Sequence, residues 1–206
     1  MAVVLRLRGA DGKFLKGDTK NLEGAMTKFG SKVIQEGRAI LNQKGKRTQQ
    51  NTLFNQYHYT MKSTDSTISI GFEFGDAEDY WEFVDQGVVG VGGFKGSGNA
   101  RGQGSEFKFK YANPGGAMVN AIQSWIKNKP ISIGDMNEQG LAWAIGYSIK
   151  RRGLERTMFY SRPVEKNLQT LPDEVKEAFK IDVQNLINKL PNKITIDSKK
   201  TLIQTK

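Results

Sequence analysis

The chain contains a single histidine and no cysteine, which restricts the catalytic and metal chemistry open to it. A Ser-His-Asp triad or a histidine-rich metal site would have to be built around His58. That histidine lies in a predicted strand, on the polar face that it shares with Gln56 and Thr60. We therefore interpret His58 as an ordinary strand residue. The lack of cysteine also excludes thiolate ligands and thiol nucleophiles.

The densest group of carboxylates lies between residues 76 and 85. Its members are Asp76, Glu78, Asp79, Glu82 and Asp85. Such a group can bind Mg²⁺ or Ca²⁺, but its order does not follow the D-x-[DN]-x-[DN]-G pattern of a calcium loop. Acidic residues in the first turn of a helix interact favourably with the helix dipole. We therefore expect helix capping and a solvated acidic face, with no metal and no cofactor.

Residues 87–106 form a glycine-rich segment without hydrophobic periodicity. It contains neither the GxxxxGK[ST] nor the GxGxxG pattern, so a nucleotide site is not indicated. We predict a loop with Phe94 as an apolar tip and with Lys95 and Arg101 as its charges. Such a loop can become ordered against a partner protein. The alternative is a surface insertion without a function.

Aromatic and basic residues alternate from Phe107 to Tyr111. A strand that stacks nucleic-acid bases has this pattern, and so does a strand with one buried face. We favour the buried strand, with Phe107, Phe109 and Tyr111 packed in the core.

Two long patterns predict the central elements. Apolar residues from Leu22 to Leu41 recur at three- and four-residue steps and predict a helix, capped by Asp18 or Asn21 and ending at Gly45. Strict alternation then predicts a β-hairpin over residues 56–62 and 68–74. The residues expected on the buried face of the hairpin are Tyr57, Tyr59, Met61, Ile68, Ile70, Phe72 and Phe74.

Four further helices are expected after the hairpin. The first covers 76–86, ends at Gly87 and has Tyr80, Phe83 and Val84 as its apolar face. The next two lie between Pro114 and Pro130 and from Met136 to Arg152. The last runs from about Pro172 to Leu190 and is capped by Thr170. The inward residues predicted for the helix between Pro114 and Pro130 are Met118, Ala121, Ile122, Trp125 and Ile126. Those of the helix from Met136 are Leu141, Ile145, Ser148 and Ile149, and those of the last helix are Val175, Phe179, Val183, Leu186 and Leu190. Asp135 and Glu138 are spaced like a capping box.

These elements predict an α+β protein, a compact single domain in which an antiparallel sheet packs against a long N-terminal helix and further helices. We expect an extended arm or edge strand at 1–17, a core domain at 18–191 and a C-terminal arm at 192–206. No apolar run approaches the roughly 18 residues of a membrane span, and the first residues do not form a secretory signal.

The net charge is +10, and the basic residues are dispersed along the chain. A solvated basic surface and non-specific proximity to DNA both explain this charge. Residues expected near DNA are Lys44, Lys46, Arg47, Lys150, Arg151 and Arg152.

Three short motifs carry a resemblance to a known family. They are Tyr80-x-x-Phe83-Val84-Asp85-x-Gly87, the run from Ala142 to Leu154, and Phe159-Tyr-x-Arg-Pro-Val164. Their order resembles that of the neck, minor tail and tail-completion proteins of tailed bacteriophages, over about residues 22–190. Asp85 stands where that family commonly has Glu, and the segment after Gly87 is longer than usual.

The resemblance implies a ring of identical subunits at the head–tail junction of the virion, assembled in the host bacterial cytoplasm. The subunit would contact connector and tail neighbours and would carry no catalytic residues. Residues expected at protein interfaces are Arg6, Arg8, Phe94, Lys95, Arg101, Ile194 and Ile196. The alternatives are a basic protein that binds nucleic acid without sequence preference and an enzyme, such as a nuclease, with a site at 76–85.

Overall fold

The computed structural model describes residues 2–6, 19–45, 52–64, 67–92, 101–128 and 136–189. Within these ranges the chain is α+β, as predicted. The helices are α1 (Lys20–Gln43), α2 (Thr52–Gln56), α3 (Trp81–Gln86), α4 (Gly116–Asn128), α5 (Glu138–Arg152) and α6 (Ser161–Lys189). The strands are β1 (Ala2–Arg6), β2 (His58–Ser63), β3 (Thr67–Glu73), β4 (Val88–Val89) and β5 (Gly153–Leu154). In the described ranges no helix is long and apolar enough to cross a membrane.

The main sheet has the order β1-β3-β2 and is antiparallel throughout. The predicted hairpin is confirmed, with Tyr59 opposite Phe72 and Met61 opposite Ile70. The prediction of a buried side chain was wrong for Met61, which is 37% exposed. The N-terminal alternation predicted either an edge strand or an extended arm, and β1 is an edge strand. Alternation buries Ile68, Ile70 and Phe72 on the face of the sheet that packs against α1.

α1 lies between the sheet and α6, and two of its glycines allow the close approach. A Cβ added at Gly30 would lie 2.4 Å from Ile70 Cδ1, and one added at Gly37 would lie 2.6 Å from the Phe159 carbonyl oxygen. The contact with α6 also includes an ion pair, because Lys32 Nζ lies 2.9 Å from Glu174 Oε1. The hydrogen bond from Lys32 lowers the pKa of Glu174.

The N-terminus of α1 is capped by a distant residue. Asp182 of α6 is buried and accepts hydrogen bonds from the backbone N–H groups of Asn21 and Leu22, at 3.2 and 3.0 Å. The capping prediction was therefore wrong for Asn21, which lies inside the helix. Asp18 lies outside the described residues. A carboxylate at this end also interacts favourably with the helix dipole.

α6 is longer than predicted, because it begins at Ser161 and contains Pro172. Thr170 does not cap the helix, since its hydroxyl donates to the carbonyl of Asn167 within it. A proline inside a helix removes one hydrogen bond, and Pro172 lies on the exposed side. The inward prediction was also wrong for Phe179, which is 45% exposed. Buried residues of the helix include Pro163, Val164, Asn167, Leu171, Val175, Ala178 and Asp182.

α4 and α5 pack together around a smaller core of Val119, Ile126, Leu141 and Ala142. Trp125 and Ala121 were predicted inward, but both are exposed. The cap of α5 is Asn137, whose side chain accepts from the Gly140 N–H at 2.7 Å. The capping-box partner Asp135 lies outside the described residues.

Candidate interaction surface

Asp85 is the most constrained charged residue of the carboxylate group. It lies on α3 with only 1% of its surface exposed. Its Oδ1 accepts hydrogen bonds from the backbone N–H groups of Tyr160, at 2.8 Å, and Ser161, at 3.2 Å. The Ser161 hydroxyl donates to Oδ2. Asp85 therefore caps α6 from a separate element, and its interpretation as part of a solvated acidic face was wrong.

The orientation of α3 follows from its true start. A 3-10 helix at Gly75–Ala77 precedes it, so the predicted continuous helix from Asp76 does not form. Trp81 stacks on Phe74 with 4.2 Å between ring centroids. This contact turns Trp81 and Asp85 inward. Tyr80 and Phe83, which were predicted inward, are 39% and 40% exposed.

Two tyrosines are buried close to Asp85. Burial raises the pKa of the Tyr57 hydroxyl well above its ordinary value, and the nearby Tyr160 and Asp85 add to this effect. Burial, followed by the charge of Asp85, raises the pKa of Tyr160 to about 12. Both phenols therefore remain protonated at neutral pH. This region is a packed core that supports the end of α6.

The other candidate catalytic groups are exposed. The Asp76 carboxylate accepts from the Gln56 side chain at 3.0 Å. His58 begins β2, and its Nε2 lies 3.3 Å from Glu73 Oε2 on the polar face of the sheet. Glu78, Asp79 and Glu82 are exposed. Over the described ranges, no three acidic or histidine side chains are grouped so as to hold a metal ion.

The glycine-rich segment is built into the fold at both described ends. β4 pairs with β5, so Val89 lies opposite Gly153. A Cβ added at Gly90 would lie 2.2 Å from the Arg151 carbonyl oxygen, and one added at Gly102 would lie 2.5 Å from the Val88 carbonyl. These positions are therefore part of the packed fold and do not belong to a surface insertion. Glycine is required there because backbone packs directly on backbone.

The same segment caps the C-terminus of α5. The backbone N–H groups of Val91, Gly92 and Arg101 donate to the carbonyls of Lys150, Arg151 and Arg152, respectively. The terminal carbonyls of a helix have no partner within the helix, so these bonds satisfy three of them. Residues 92 and 101 are consequently fixed at the neighbouring carbonyls of Arg151 and Arg152.

We call the place where the ends of the glycine-rich segment pack on the C-terminus of α5 the glycine crossing. An apolar groove of about 400 Å³ lies beside it. We call it the aromatic groove; it is lined by Tyr80, Phe83, Val84, Val88, Phe107, Lys108, Phe109 and Leu154. The rings of Phe83 and Phe107 meet edge to face with centroids 4.6 Å apart. Phe107 and Phe109 are half-buried and Tyr111 is 67% exposed, so the predicted buried aromatic strand was wrong. The structure instead shows an isolated bridge between Val89 and Lys108.

Basic residues from two chain segments meet at one end of the groove. Lys150 Nζ lies 4.3 Å from the centre of the Phe109 ring. Arg151 Nη1 donates to the Gly92 carbonyl at 3.0 Å, and Arg156 Nη1 donates to the Gln103 carbonyl at 3.4 Å. Lys44, which was predicted near DNA, forms an ion pair with Glu155.

The remaining predicted contact residues divide into two groups. Arg101 is exposed at the base of the glycine-rich segment, and Arg6 ends β1 opposite Thr67. Arg8, Lys46, Arg47, Phe94, Lys95, Ile194 and Ile196 lie outside the described residues. Sequence reasoning missed Asp85 and Asp182, because each caps a helix that is remote in sequence. The short-range cap patterns of sequence analysis contain no signal for such contacts.

Comparison with protein-family models, with curated proteins and with solved structures finds no match to the chain.

Proposed function

We propose that the chain is a structural subunit that assembles in many copies as a ring at the head–tail junction of a tailed bacteriophage. The observation that carries this proposal is the aromatic groove, an exposed apolar surface on a protein with a well-packed core. Exposed apolar clusters rimmed by polar residues are candidate sites of protein–protein contact. The resemblance supplies the kind of assembly.

The three motifs of the resemblance meet in space. Asp85 of the first motif accepts hydrogen bonds from Tyr160 and Ser161 in the third. Gly153, in the second, pairs with Val89 directly after the first. The short motifs therefore belong to one packed unit, and this unit forms one wall of the aromatic groove. Such spatial coherence supports the resemblance more than the motifs do as separate matches.

The size of the groove predicts how strongly two copies associate. Complete burial of one large apolar side chain contributes roughly 1.5–3 kcal/mol. Because Tyr80, Phe83 and Leu154 are each about 40% exposed, their remaining burial contributes about 3 kcal/mol in total. One such contact does not hold a dimer in dilute solution, given the entropy lost on association. In a closed ring each copy makes two contacts, so assembly should increase steeply with concentration.

Two variants test the groove as the contact between copies. Phe83→Asp places a charge in the groove, whereas Phe179→Asp makes the same change at a residue of similar exposure on α6. We expect rings of uniform subunit number for the wild type at high concentration, measured by light scattering and negative-stain imaging. Phe83→Asp should remain monomeric and Phe179→Asp should still assemble.

A second measurement tests the location. Purified particles of a phage that encodes the chain should contain it in a fixed copy number at the head–tail junction, by mass spectrometry and imaging. A chain that is absent from these particles and remains monomeric at every concentration would refute the proposal.

A further inference from the structure

We propose that the basic residues beside the aromatic groove form a binding site for the phosphate backbone of duplex DNA. The site, which we call the basic cluster, comprises Arg101, Lys108, Lys110, Lys150, Arg151, Arg152 and Arg156. This inference does not depend on ring formation, because a single subunit carries the complete cluster.

The fold brings these cations together from two separate segments. The hydrogen bonds from Val89 N to the Phe107 carbonyl and from Phe109 N to the Val89 carbonyl fix the strip 107–109 against β4. Alternation then exposes Lys108 and Lys110, while the two phenylalanines are half-buried. Lys150 reaches the same strip from the end of α5, over the Phe109 ring.

The lysines of this surface, Lys108, Lys110 and Lys150, have no carboxylate partner among the described residues. Residues 101–111 and 150–156 contain seven cations and two acids, Glu106 and Glu155. Glu155 is paired with Lys44. Grouped like charges repel one another, and a bound polyanion relieves that repulsion, while the cations of the protein release the counterions condensed on the nucleic acid.

The helix dipole does not account for the cluster. Cations in the last turn of a helix commonly stabilise its free carbonyls, which is the ordinary explanation for Lys150, Arg151 and Arg152. Here those carbonyls already accept backbone N–H groups from residues 91, 92 and 101. Lys108 and Lys110 belong to a different segment and serve no helix end. The convergence of both sets at one surface fits an external anion.

The kind of recognition follows from the side chains. Lysine contacts to phosphate fix a protein on DNA but carry no sequence information. The cluster should therefore bind unrelated duplexes equally, with an affinity that falls as salt rises. Each phosphate contact contributes about 0.9 to the slope of log Kobs against log salt concentration.

The test is fluorescence anisotropy with two labelled duplexes of unrelated sequence, measured over a salt series. The first variant replaces Lys108, Lys110 and Lys150 with Gln. The control replaces Lys127, Lys176 and Lys180 with Gln, which removes the same charge from exposed sites on α4 and α6.

We expect the wild type to bind both duplexes equally. The cluster variant should bind roughly a hundredfold more weakly at about 0.1 M salt, and its salt slope should be smaller by about 2.7. The control should change affinity by less than about threefold, which reflects only the lower net charge. Circular dichroism establishes that both variants are folded.

Three results would overturn the inference. They are a wild type that binds neither duplex at low salt, equal losses in the two variants, and a cluster variant that loses binding to polyglutamate while its DNA affinity is unchanged. The last result would assign the cluster to an acidic protein. Anisotropy at protein concentrations where light scattering detects only monomers separates the two proposals, because a single subunit carries the complete cluster and should already bind DNA there.

Discussion

Removal of the Asp85 carboxylate should destabilise the whole protein, although Asp85 takes part in no proposed binding site. Its side chain holds the first turn of α6 through two backbone N–H groups and the Ser161 hydroxyl. α6 packs along α1, and α1 packs on the sheet. Loss of the cap should therefore lower the global free energy of unfolding as well as the order of one helix end.

The structure gives a rough magnitude for each substitution. Asp85→Ala removes the cap and leaves the N–H groups of Tyr160 and Ser161 without their acceptor, which should cost about 3–4 kcal/mol. Asp85→Asn keeps the shape and one acceptor oxygen but loses the charge at the helix terminus, at about 1 kcal/mol. Asp85→Glu adds a methylene to a closed site and should cost about 1–3 kcal/mol. Glu is the residue that is common at this position in the phage family whose motifs this sequence resembles.

The assay is urea unfolding, monitored by circular dichroism and tryptophan fluorescence. The midpoint urea concentrations are compared with one m-value fitted to all variants. Asp79→Ala is the matched control, because Asp79 is an exposed acid of the same group. It should change stability by less than about 0.5 kcal/mol. If Asp85→Ala were as stable as Asp79→Ala, the assignment of Asp85 as a structural cap would be refuted.

Two further outcomes test other parts of the fold. Gly90→Ala should lower the free energy of unfolding by about 3 kcal/mol, because its Cβ would lie 2.2 Å from a carbonyl oxygen. Gly115→Ala is the control, because its Cβ enters open space and the change should be nearly neutral. The urea midpoints of the two variants measure the difference. The contribution of Tyr160 to stability should be constant up to about pH 10 and then fall towards pH 12, because its phenol ionises near 10 when unfolded and near 12 when folded. Tyr160→Phe should make that fall shallower in pH-dependent urea unfolding, and an unchanged profile would contradict the burial of the phenol.

Local patterns were sufficient for the hairpin and the longer helices, and insufficient for the short elements and for the helix ends. The hairpin could be predicted because alternation over residues 56–74 has a period of two and one buried face. The start of α6 could not, because Pro172 and Thr170 resemble a helix start while the true cap, Asp85, lies far away in sequence. Pro172 is tolerated because it lies on the exposed side of a helix stabilised by packing elsewhere.

The interaction surface was less predictable than the core. An exposed and a buried aromatic residue look alike in sequence, so Phe83 was assigned inward and Phe107 to a core strand. Which face of α3 is buried depends on Trp81, because its side chain stacks on Phe74 and so sets the rotation of the helix. Likewise, the lysines of 108–110 and Lys150 are separate charges in sequence. They become one surface only because the glycine crossing folds the first segment against the end of α5.

Because of the glycine crossing, the stability of the fold should depend little on the composition of residues 93–100. Gly92 and Arg101 donate to adjacent carbonyls of α5, so the ends of this segment are already held together. The entropy cost of closing a loop grows only with the logarithm of its length, at about 0.6 kcal/mol for each doubling. Changes in the length or sequence of 93–100 should therefore disturb the core little. A longer segment after Gly92 is thus compatible with the same packed body.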